Sequence, residues 1–339
     1  MTRLLANINR KAREAGFAFT FLIPATPGLR KYYHDRDYVN AFYRVIDNYT
    51  SLHDFDREYE SVLAEQKEKV AELKRKFYES LHTGEITSKN AAGNEMIPKI
   101  IEMIEGVESK QRDLQIIHSR KDLEIIIREN GVSGGAIYYA ANPAGDITAV
   151  AFCSQESGAL AIHKLYYSDL SSKFKVMSAA KRGNPDLGIH HYVSSLEMDR
   201  KALWSRTYGS YLPEAPQVGA ISVAERVYSL AAHAKMYGMA RILNLDEILK
   251  FQAETRNDLK YSILTKASDV YTYEQIDVKN GKMNVRRLAA EEVSAANWAH
   301  VMSKRDVCEI LFRRRDTDNM ITEAFGIPSI NGSISLMLD

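Results

Sequence analysis

The first 45 residues combine a helical spacing of apolar positions with a strand-like one. Residues 3–15 place five apolar side chains on one face of a helix: Leu4, Leu5, Ile8, Ala12 and Ala15. Gly16 suits the end of that helix because glycine accepts a left-handed backbone. Residues 17–23 contain one polar side chain, which predicts a strand covered on both faces. A short helix over 29–33 and a strand over 39–45 follow.

The next segment is predicted to be helical. The pattern predicts one long helix over 54–81, with apolar positions at Phe55, Tyr59, Val62, Leu63, Val70, Leu73, Phe77 and Leu81. Its charged residues are expected to form a solvated face, with favourable i,i+4 pairs. Residues 83–95 are polar and are interpreted as a linker, and helices are expected over 96–109 and 120–130.

Alternating strands replace helices after residue 131. The pattern predicts a hairpin of strands 136–142 and 147–154, a strand over 159–167, a helix over 169–181 and a strand over 188–195. Ser222 and Glu225 have the spacing of a capping box. The elements predicted after Gly238 are a helix at 243–252, strands at 260–265, 271–278 and 283–288, helices at 290–313 and 317–325, and a strand at 334–339.

Composition narrows the class of protein. The chain has 339 residues and a formal net charge of +1, so it shows no global attraction to nucleic acid or to an anionic membrane. No apolar run reaches the length of a membrane span, and residues 1–16 do not resemble a signal peptide. Cys153 and Cys308 lack metal-ligand spacing and are expected to be reduced and buried. We therefore expect a cytoplasmic protein of two or three domains.

The stretch MTRLLANINRKAREAGFAFTFLIPATPGLRKYYHDRDYVNAFYR resembles the second half of a GNAT acetyltransferase domain. That family has a helix after its pyrophosphate loop, then a buried strand and then a short helix, here Leu29 to Tyr38. Asp37 departs from the pattern, because glycine is usual there. The resemblance implies that the chain begins partway through a GNAT domain, whose first half would precede residue 1.

Later segments resemble the enhanced-intracellular-survival type of multidomain acetyltransferase. Residues 132–195 have the element order of a second, degenerate GNAT unit. Residues 237–244 resemble the entry to a sterol-carrier-like C-terminal domain, and residues 334–339 resemble its last strand. The implied fold class is α+β with mixed sheets. The implied domains are 1–53 (the end of a GNAT domain), 54–236 (a helical segment and a degenerate GNAT-like domain) and 237–339 (a sterol-carrier-like domain).

The resemblance assigns two catalytic groups. Tyr33 takes the place of the family's general acid, and a phenol, with a reference pKa of about 10, is protonated at neutral pH and can donate to a leaving thiolate. The alternative for Tyr33 is packing at a helix end, which is also the interpretation of Tyr32 and Tyr38. The C-terminal carboxylate of Asp339 takes the place of the base. The alternative for Asp339 is the end of an ordinary edge strand.

The cofactor site is incomplete in this sequence. The resemblance implies acetyl-CoA as co-substrate, held by a glycine-containing loop that would end just before Thr2, with Thr2 and Arg3 flanking the phosphates. We expect residues 1–339 alone to bind acetyl-CoA weakly or not at all. In the second unit, residues 168–173 contain no glycine and carry an acid where phosphate would sit. We expect that unit not to bind the cofactor.

Three other motifs were weighed and set aside. His190 and His191 alternate on a strand and point to opposite faces, so no metal site is expected. Arg313, Arg314 and Arg315 suit a helix end better than a nucleic-acid surface. The glycines of 131–135 precede a strand and do not form a phosphate loop.

Two functions remain open. The first is an acetyl-CoA-dependent N-acetyltransferase acting on a small-molecule or peptide amine, with no nucleic-acid or membrane partner. The second is a non-catalytic homologue that serves as a binding or assembly module. A homo-oligomer is compatible with either function.

Overall fold

A computed structural model describes residues 2–110, 114–194, 235–255, 258–266, 272–293, 301–312 and 332–333. The helices are α1 (Thr2–Glu14), α2 (Pro27–His34), α3 (Phe55–Ala64), α4 (Glu68–Ser80), α5 (Met96–Glu108), α6 (Arg120–Val132), α7 (Leu170–Gly183), α8 (Leu245–Thr255) and α9 (Lys304–Leu311). The strands are β1 (Phe19–Leu22), β2 (Val39–Tyr49), β3 (His82–Ile86), β4 (Leu114–Gln115), β5 (Ala136–Ala141), β6 (Ile147–Glu156), β7 (Ala159–Tyr167), β8 (Gly188–Ser194), β9 (Lys235–Ile242), β10 (Lys260–Lys266), β11 (Thr272–Lys279), β12 (Lys282–Ala289), β13 (Val301–Met302) and β14 (Gly332–Ser333).

The chain forms two compact units with mixed helices and strands, so the predicted α+β class is confirmed. Described residues of 1–43 and 235–333 lie in the first unit, and described residues of 44–111 and 115–194 lie in the second. The strand β2 supplies residues to both units. The predicted division at residues 53 and 236 stays a prediction.

In the first unit, β1 pairs with a strand from much later in the chain. β9 runs antiparallel to β1, with Phe19 opposite Ile242, and β9 also neighbours β2 in the sheet. Among the described strands, β1 has no partner on its other edge. Because no described strand covers this edge, the four residues of β1 are only partly buried.

Both faces of β1 contact other elements, as predicted, although the strand is not fully buried. Thr20 faces α1 and bonds to Asn9, whereas Phe19 and Phe21 pack against Phe42 and Phe312. All four residues of β1 nevertheless stay partly exposed.

The predicted apolar face of α1 is only half correct. Leu5, Asn9 and Ala12 are the residues of α1 that are buried or half-buried. Leu4 is 63% exposed and Ile8 is 49% exposed. The inward face of this helix is therefore rotated away from Leu4 and Ile8 and centres on a polar residue.

A four-stranded sheet completes the first unit. Its order is β12-β11-β10-β13, with antiparallel hairpins and a parallel β10–β13 pair. Asn280 and Gly281 both have positive φ, 50° and 73°, which is the two-residue hairpin turn that their sequence predicts. Ile263 and Ile276 are fully buried on neighbouring strands of this sheet.

The second unit is a sheet with a hydrophobic core on each face. Its strand order is β8-β7-β6-β5-β3, with residues 44–49 of β2 beside β8. Neighbours are antiparallel except β7 and β8, which pair in parallel from Ala159 to Ile162. One core packs residues of α3, α4 and α7 on the sheet, and the other packs residues of α5 and α6. The predicted hairpin, strand, helix and strand of residues 136–195 are confirmed as β5–β6, β7, α7 and β8.

Two predictions in the second unit are wrong. The helix expected over 54–81 is interrupted between Ala64 and Glu68, and Leu73 is 69% exposed instead of buried. The break changes which face of α4 is buried. Ala71 and Tyr78 face the core, and Val70 and Phe77 are exposed. The segment 83–95 contains the strand β3, which pairs with β5.

Several predicted features lie outside the described residues. They are the Ser222–Glu225 capping box, the arginines 313–315, the helix over 317–325 and the terminal residue Asp339. Cys153 and Cys308 are buried, as expected. No helix in the described ranges has both the length and the apolar character of a membrane span.

Candidate functional site

The short helix α2 carries the predicted acid and has clear start signals. Thr26 caps it by accepting a hydrogen bond from the backbone N–H of Leu29 at 3.2 Å. Pro27 follows at the first helical position, where its fixed φ suits the helix and its missing N–H costs nothing. These two residues fix where α2 begins, and so where Tyr33 falls near its end.

Asp37 takes the left-handed conformation for which glycine is the usual residue. Its φ is 63°, and the N–H of Tyr38 donates to the carbonyl of Tyr33 at 3.2 Å across this turn. Aspartate tolerates this conformation better than most residues. The Asp37 carboxylate also lies 3.1 Å from the Arg241 guanidinium on β9. The turn that ends α2 is thus kept despite the departure from the family pattern.

Tyr33 is half-buried in a row of three tyrosine rings. Its ring meets Tyr32 edge-on at a centroid distance of 5.3 Å and Tyr38 at 5.7 Å. Within the described part of the chain, its hydroxyl has no hydrogen-bond partner. The ring of Tyr33 is thus used in packing, whereas its hydroxyl is not used in a hydrogen bond there and is available to a ligand.

Tyr38 is more than a packing residue, which the sequence did not reveal. It is 1% exposed, and its hydroxyl lies 3.0 Å from the Thr20 hydroxyl. Both hydroxyls donate to Asn9 Oδ1, Thr20 at 3.1 Å and Tyr38 at 3.2 Å. A polar residue at the inward position of α1, four residues after Leu5, was the one sequence signal for this network.

The start of α1 fits an anionic group. Thr2 begins the helix, Arg3 is exposed, and the first turn carries no acidic residue. The first backbone N–H groups of a helix have no intrahelical acceptor and favour anions such as phosphate. Thr2 and Arg3 begin this helix, and their assignment as neighbours of the phosphates stays a prediction.

The start of α7, the corresponding helix of the second unit, does not fit an anion. Asp169 caps it, and its carboxylate accepts from the Ser172 N–H and the Ser172 hydroxyl, each at 2.9 Å. Ser168 donates to the same carboxylate at 2.6 Å. A protein carboxylate therefore occupies the position that a phosphate would need, and a second negative charge would be repelled.

A buried charged cluster lies deeper in the second unit. Glu108 accepts from the backbone N–H of His118 at 2.9 Å and from the Tyr166 hydroxyl at 2.7 Å. Its carboxylate also lies 2.9 Å from His118 Nδ1. Burial alone would raise the pKa of Glu108, but the hydrogen bonds from His118 and Tyr166 outweigh burial and lower it. Neither the helix pattern nor the spacing of these residues indicated the cluster.

The paired histidines, which the sequence does not favour as a metal site, lie on one strand. His190 is half-buried and His191 is buried on β8. In the ranges that the structure describes, no three or more His, Cys, Asp or Glu side chains are grouped so that they could hold a metal ion. Asp339 lies outside those ranges.

Comparison with known proteins gives a result for structure alone. No protein-family model matches the chain, and no curated protein matches it. A probable N-acyltransferase from Enterococcus faecalis has a TM-score of 0.54 at 11% identity, over 95% of this chain and 69% of its own. A GCN5-related N-acetyltransferase from Kribbella flavida has a TM-score of 0.52 at 10% identity, over 95% and 66%.

A third solved structure, Eis1 from Mycobacterium abscessus, has a TM-score of 0.50 at 9% identity, over 97% of this chain and 71% of its own. At such low identity, the likeness concerns the fold and does not extend to substrates or residue roles. All three structures extend beyond the part that this chain matches. The chain has the mixed α+β fold of these GNAT-like acyltransferase structures.

Proposed function

We propose that this protein is an acetyl-CoA-dependent N-acetyltransferase whose chemistry takes place in the first unit. The observation that carries the proposal is Tyr33, a half-buried phenol at the end of α2 whose hydroxyl has no partner among the described residues. A free phenol at this point of a GNAT-like fold has the chemistry of a general acid.

The donor's phosphates would be held at the start of α1. The backbone N–H groups of its first turn would bind them, and the Thr2 hydroxyl and the Arg3 guanidinium would flank them. Acetyl-CoA supplies the acetyl group as a thioester. The second unit would not take part in this binding, because Asp169 already occupies the start of α7.

Tyr33 would protonate the leaving sulfur. As the new N–C bond forms and the C–S bond breaks, the phenol proton passes to the thiolate. The attacking nitrogen gives up its second proton to solvent as it becomes the amide, and solvent reprotonates the phenolate. The ammonium of the acceptor must first lose a proton. We assign that proton to a carboxylate of Asp339, which requires desolvation or a relaying water for this role because the reference pKa of a carboxyl group is low.

Further parts of the proposal concern the setting of the reaction. The acceptor is a small-molecule or peptide amine, and nucleic acid and membrane are not partners. Residues 237–339 serve as a sterol-carrier-like domain, and the reaction takes place in the cytoplasm. The near-neutral net charge supports the exclusion of nucleic acid and anionic membrane as partners.

The test is acetyl-CoA-dependent thiol release by the full-length protein, meaning the complete translation product of the gene that encodes this sequence. Thiol release is measured with acetyl-CoA alone and with a panel of primary amines, namely alkyl diamines, amino acids and a lysine-containing peptide. We expect at least one amine to raise the rate well above hydrolysis, with the N-acetylated product visible by mass spectrometry. If no amine raises thiol release, the protein is a non-catalytic homologue instead.

Asp169→Ala is the matched control for this assay. It changes the corresponding helix of the second unit and none of the residues assigned to the reaction. We expect its rate of thiol release to equal that of the unmodified protein. A loss of activity in Asp169→Ala would show that the second unit takes part in the reaction.

A further inference from the structure

We propose that Tyr38 is a positioning residue that fixes the ring of Tyr33, and that Thr20 and Asn9 hold Tyr38 in place. The inference concerns the site of the proposed function. Its catalytic consequence rests on that function, whereas its structural consequence for the Tyr33 ring does not.

The network connects three elements that carry the candidate site. Asn9 lies on α1, Thr20 on β1, and Tyr38 directly before β2. The Asn9 side-chain oxygen meets both hydroxyls at 3.1–3.2 Å, and the two hydroxyls lie 3.0 Å apart. Each member contacts the other two, so the hydroxyl of Tyr38 is restrained from two directions.

Tyr33 has no comparable anchor of its own. At the far end of the row of rings, the Arg36 guanidinium lies 3.6 Å from the Tyr32 ring centroid and donates to the Tyr32 carbonyl at 2.7 Å. At the near end, the network holds Tyr38. The ring of Tyr33 lies between these two anchored rings, at 5.3 Å and 5.7 Å, and its orientation depends on them.

Asn9 is not explained by stability alone. It is 5% exposed, and its side-chain nitrogen has no hydrogen-bond partner in the described part of the chain. A buried amide with one unsatisfied end is costly, and an apolar residue would suit the α1–β1 contact better. The role that accounts for an asparagine here is that its side-chain oxygen accepts from the two hydroxyls.

The first test observes the Tyr33 ring directly and needs no substrate. The protein is labelled with ring-¹³C tyrosine, and the Tyr33 signal among the 19 tyrosines is identified by its loss in Tyr33→Phe. Tyr38→Phe removes one hydroxyl and keeps the ring. We expect the Tyr33 signal to move towards the value of a freely rotating tyrosine.

Two substitutions at Thr20 separate positioning from bulk. Thr20→Ser keeps the hydroxyl, and we expect the Tyr33 signal to stay unchanged. Thr20→Val keeps the shape and removes the hydroxyl. We expect it to move the Tyr33 signal in the same direction as Tyr38→Phe but by less, because Tyr38 keeps its bond to Asn9. If Tyr38→Phe and Thr20→Val lower the unfolding midpoint but leave the Tyr33 signal in place, the network serves stability alone and the proposal is overturned. Thr20→Val also serves where Tyr38→Phe fails to fold.

The second test uses turnover of the full-length protein. We expect Tyr38→Phe to lower kcat about tenfold because the acid is misplaced, with KM for acetyl-CoA within about twofold. Thr20→Ser, which keeps the hydroxyl, is expected to retain the kcat of the unmodified protein. If Tyr33→Phe itself leaves turnover unchanged, the proposed function fails, while the ring spectrum still decides the present inference. If Tyr33→Phe lowers kcat and Tyr38→Phe changes neither kcat nor the spectrum, only the present inference fails.

Discussion

The helices α1 and α7 are each followed along the chain by a strand, β1 and β8, yet their first turns differ. The first turn of α1 carries no acid, and Arg3 is exposed beside it. The first turn of α7 is closed by the Asp169 carboxylate, which accepts from the N–H and the hydroxyl of Ser172. The difference teaches that element order alone does not make an anion site, because one capping residue is enough to occupy it.

The buried polar networks of the two units also differ in charge. The first unit uses the neutral side chains of Asn9, Thr20 and Tyr38. The second unit uses the carboxylate of Glu108 with His118 and Tyr166. Neutral groups keep their contacts across the physiological pH range, whereas a buried carboxylate ties the stability of its unit to pH.

The largest expected effect tests the charged network. Glu108→Ala leaves His118 and Tyr166 without their buried partner, so we expect the free energy of unfolding to fall by about 3–5 kcal/mol. Glu102→Ala, an exposed acid on the same helix, is the control and is expected to change it by less than about 0.5 kcal/mol. Urea denaturation measures both. Equal small effects would mean that the cluster is not a structural anchor of the second unit.

The same residue gives the pH dependence its sign. Because the folded-state pKa of Glu108 is lowered, its contribution is present above the unfolded-state pKa of about 4.3 and is lost as pH falls through the folded value. Glu108→Gln should therefore flatten the decline of stability below about pH 4.3. A Glu108→Gln protein whose stability still declines in acid like the unmodified protein would assign that decline to other carboxylates.

A middle-sized effect is expected at the cap of α7. Asp169→Ala removes the acceptor for Ser172, and we expect a loss of about 1 kcal/mol, as for other N-caps. Asp169→Asn keeps an acceptor oxygen and should lose much less. Thermal denaturation of the two variants decides the point. An Asp169→Ala protein of unchanged stability would weaken the contrast between α7 and α1.

A smaller effect is expected at the turn after α2. Asp37→Gly relieves a positive φ, worth about 1 kcal/mol, but removes a partly exposed pair with Arg241, worth about 0–1 kcal/mol. We expect a net gain of less than about 1 kcal/mol. Asp37→Ala keeps the strain and loses the pair, so it should be less stable than either protein in urea. If alanine matches glycine, the backbone strain is not the reason for the family's glycine.

The smallest effect is expected on the outer side of α1. Leu4 is exposed, so Leu4→Gln should change the unfolding free energy by less than about 0.5 kcal/mol. Leu5 is half-buried within the first unit, and Leu5→Gln should lower the unfolding free energy clearly more. A large loss in Leu4→Gln would show that another part of the protein covers this face of α1.

Much of the fold could be predicted because hydrophobic periodicity reflects burial directly. The hairpin at Asn280 and Gly281 and the strands and helix of 132–195 follow from turn residues and alternation. The single helix over 54–81 was wrong because periodicity continues across a break when both helices are amphipathic. The partner of β1 could not be predicted, since β9 lies more than 200 residues later in the chain.

The candidate site likewise has a part that could be predicted from the sequence and a part that could not. Tyr33 and its turn could be placed because local signals, Thr26, Pro27 and the position of Asp37, fix the short helix. The Asn9–Thr20–Tyr38 network joins residues of three elements, and no local pattern marks such a contact. Spacing along the chain therefore predicts where a side chain starts, but packing decides which other side chains it meets.

The most direct test of the central claim compares Tyr33→Phe with Tyr32→Phe in the full-length protein. Both lie at the end of α2 in the same row of rings, and only Tyr33 is assigned as the acid. By steady-state thiol release, we predict that Tyr33→Phe lowers kcat by about 10²-fold or more, with KM for acetyl-CoA within about twofold, and that Tyr32→Phe lowers kcat far less. Unchanged kcat in Tyr33→Phe, or an equal loss in both variants, would contradict the account.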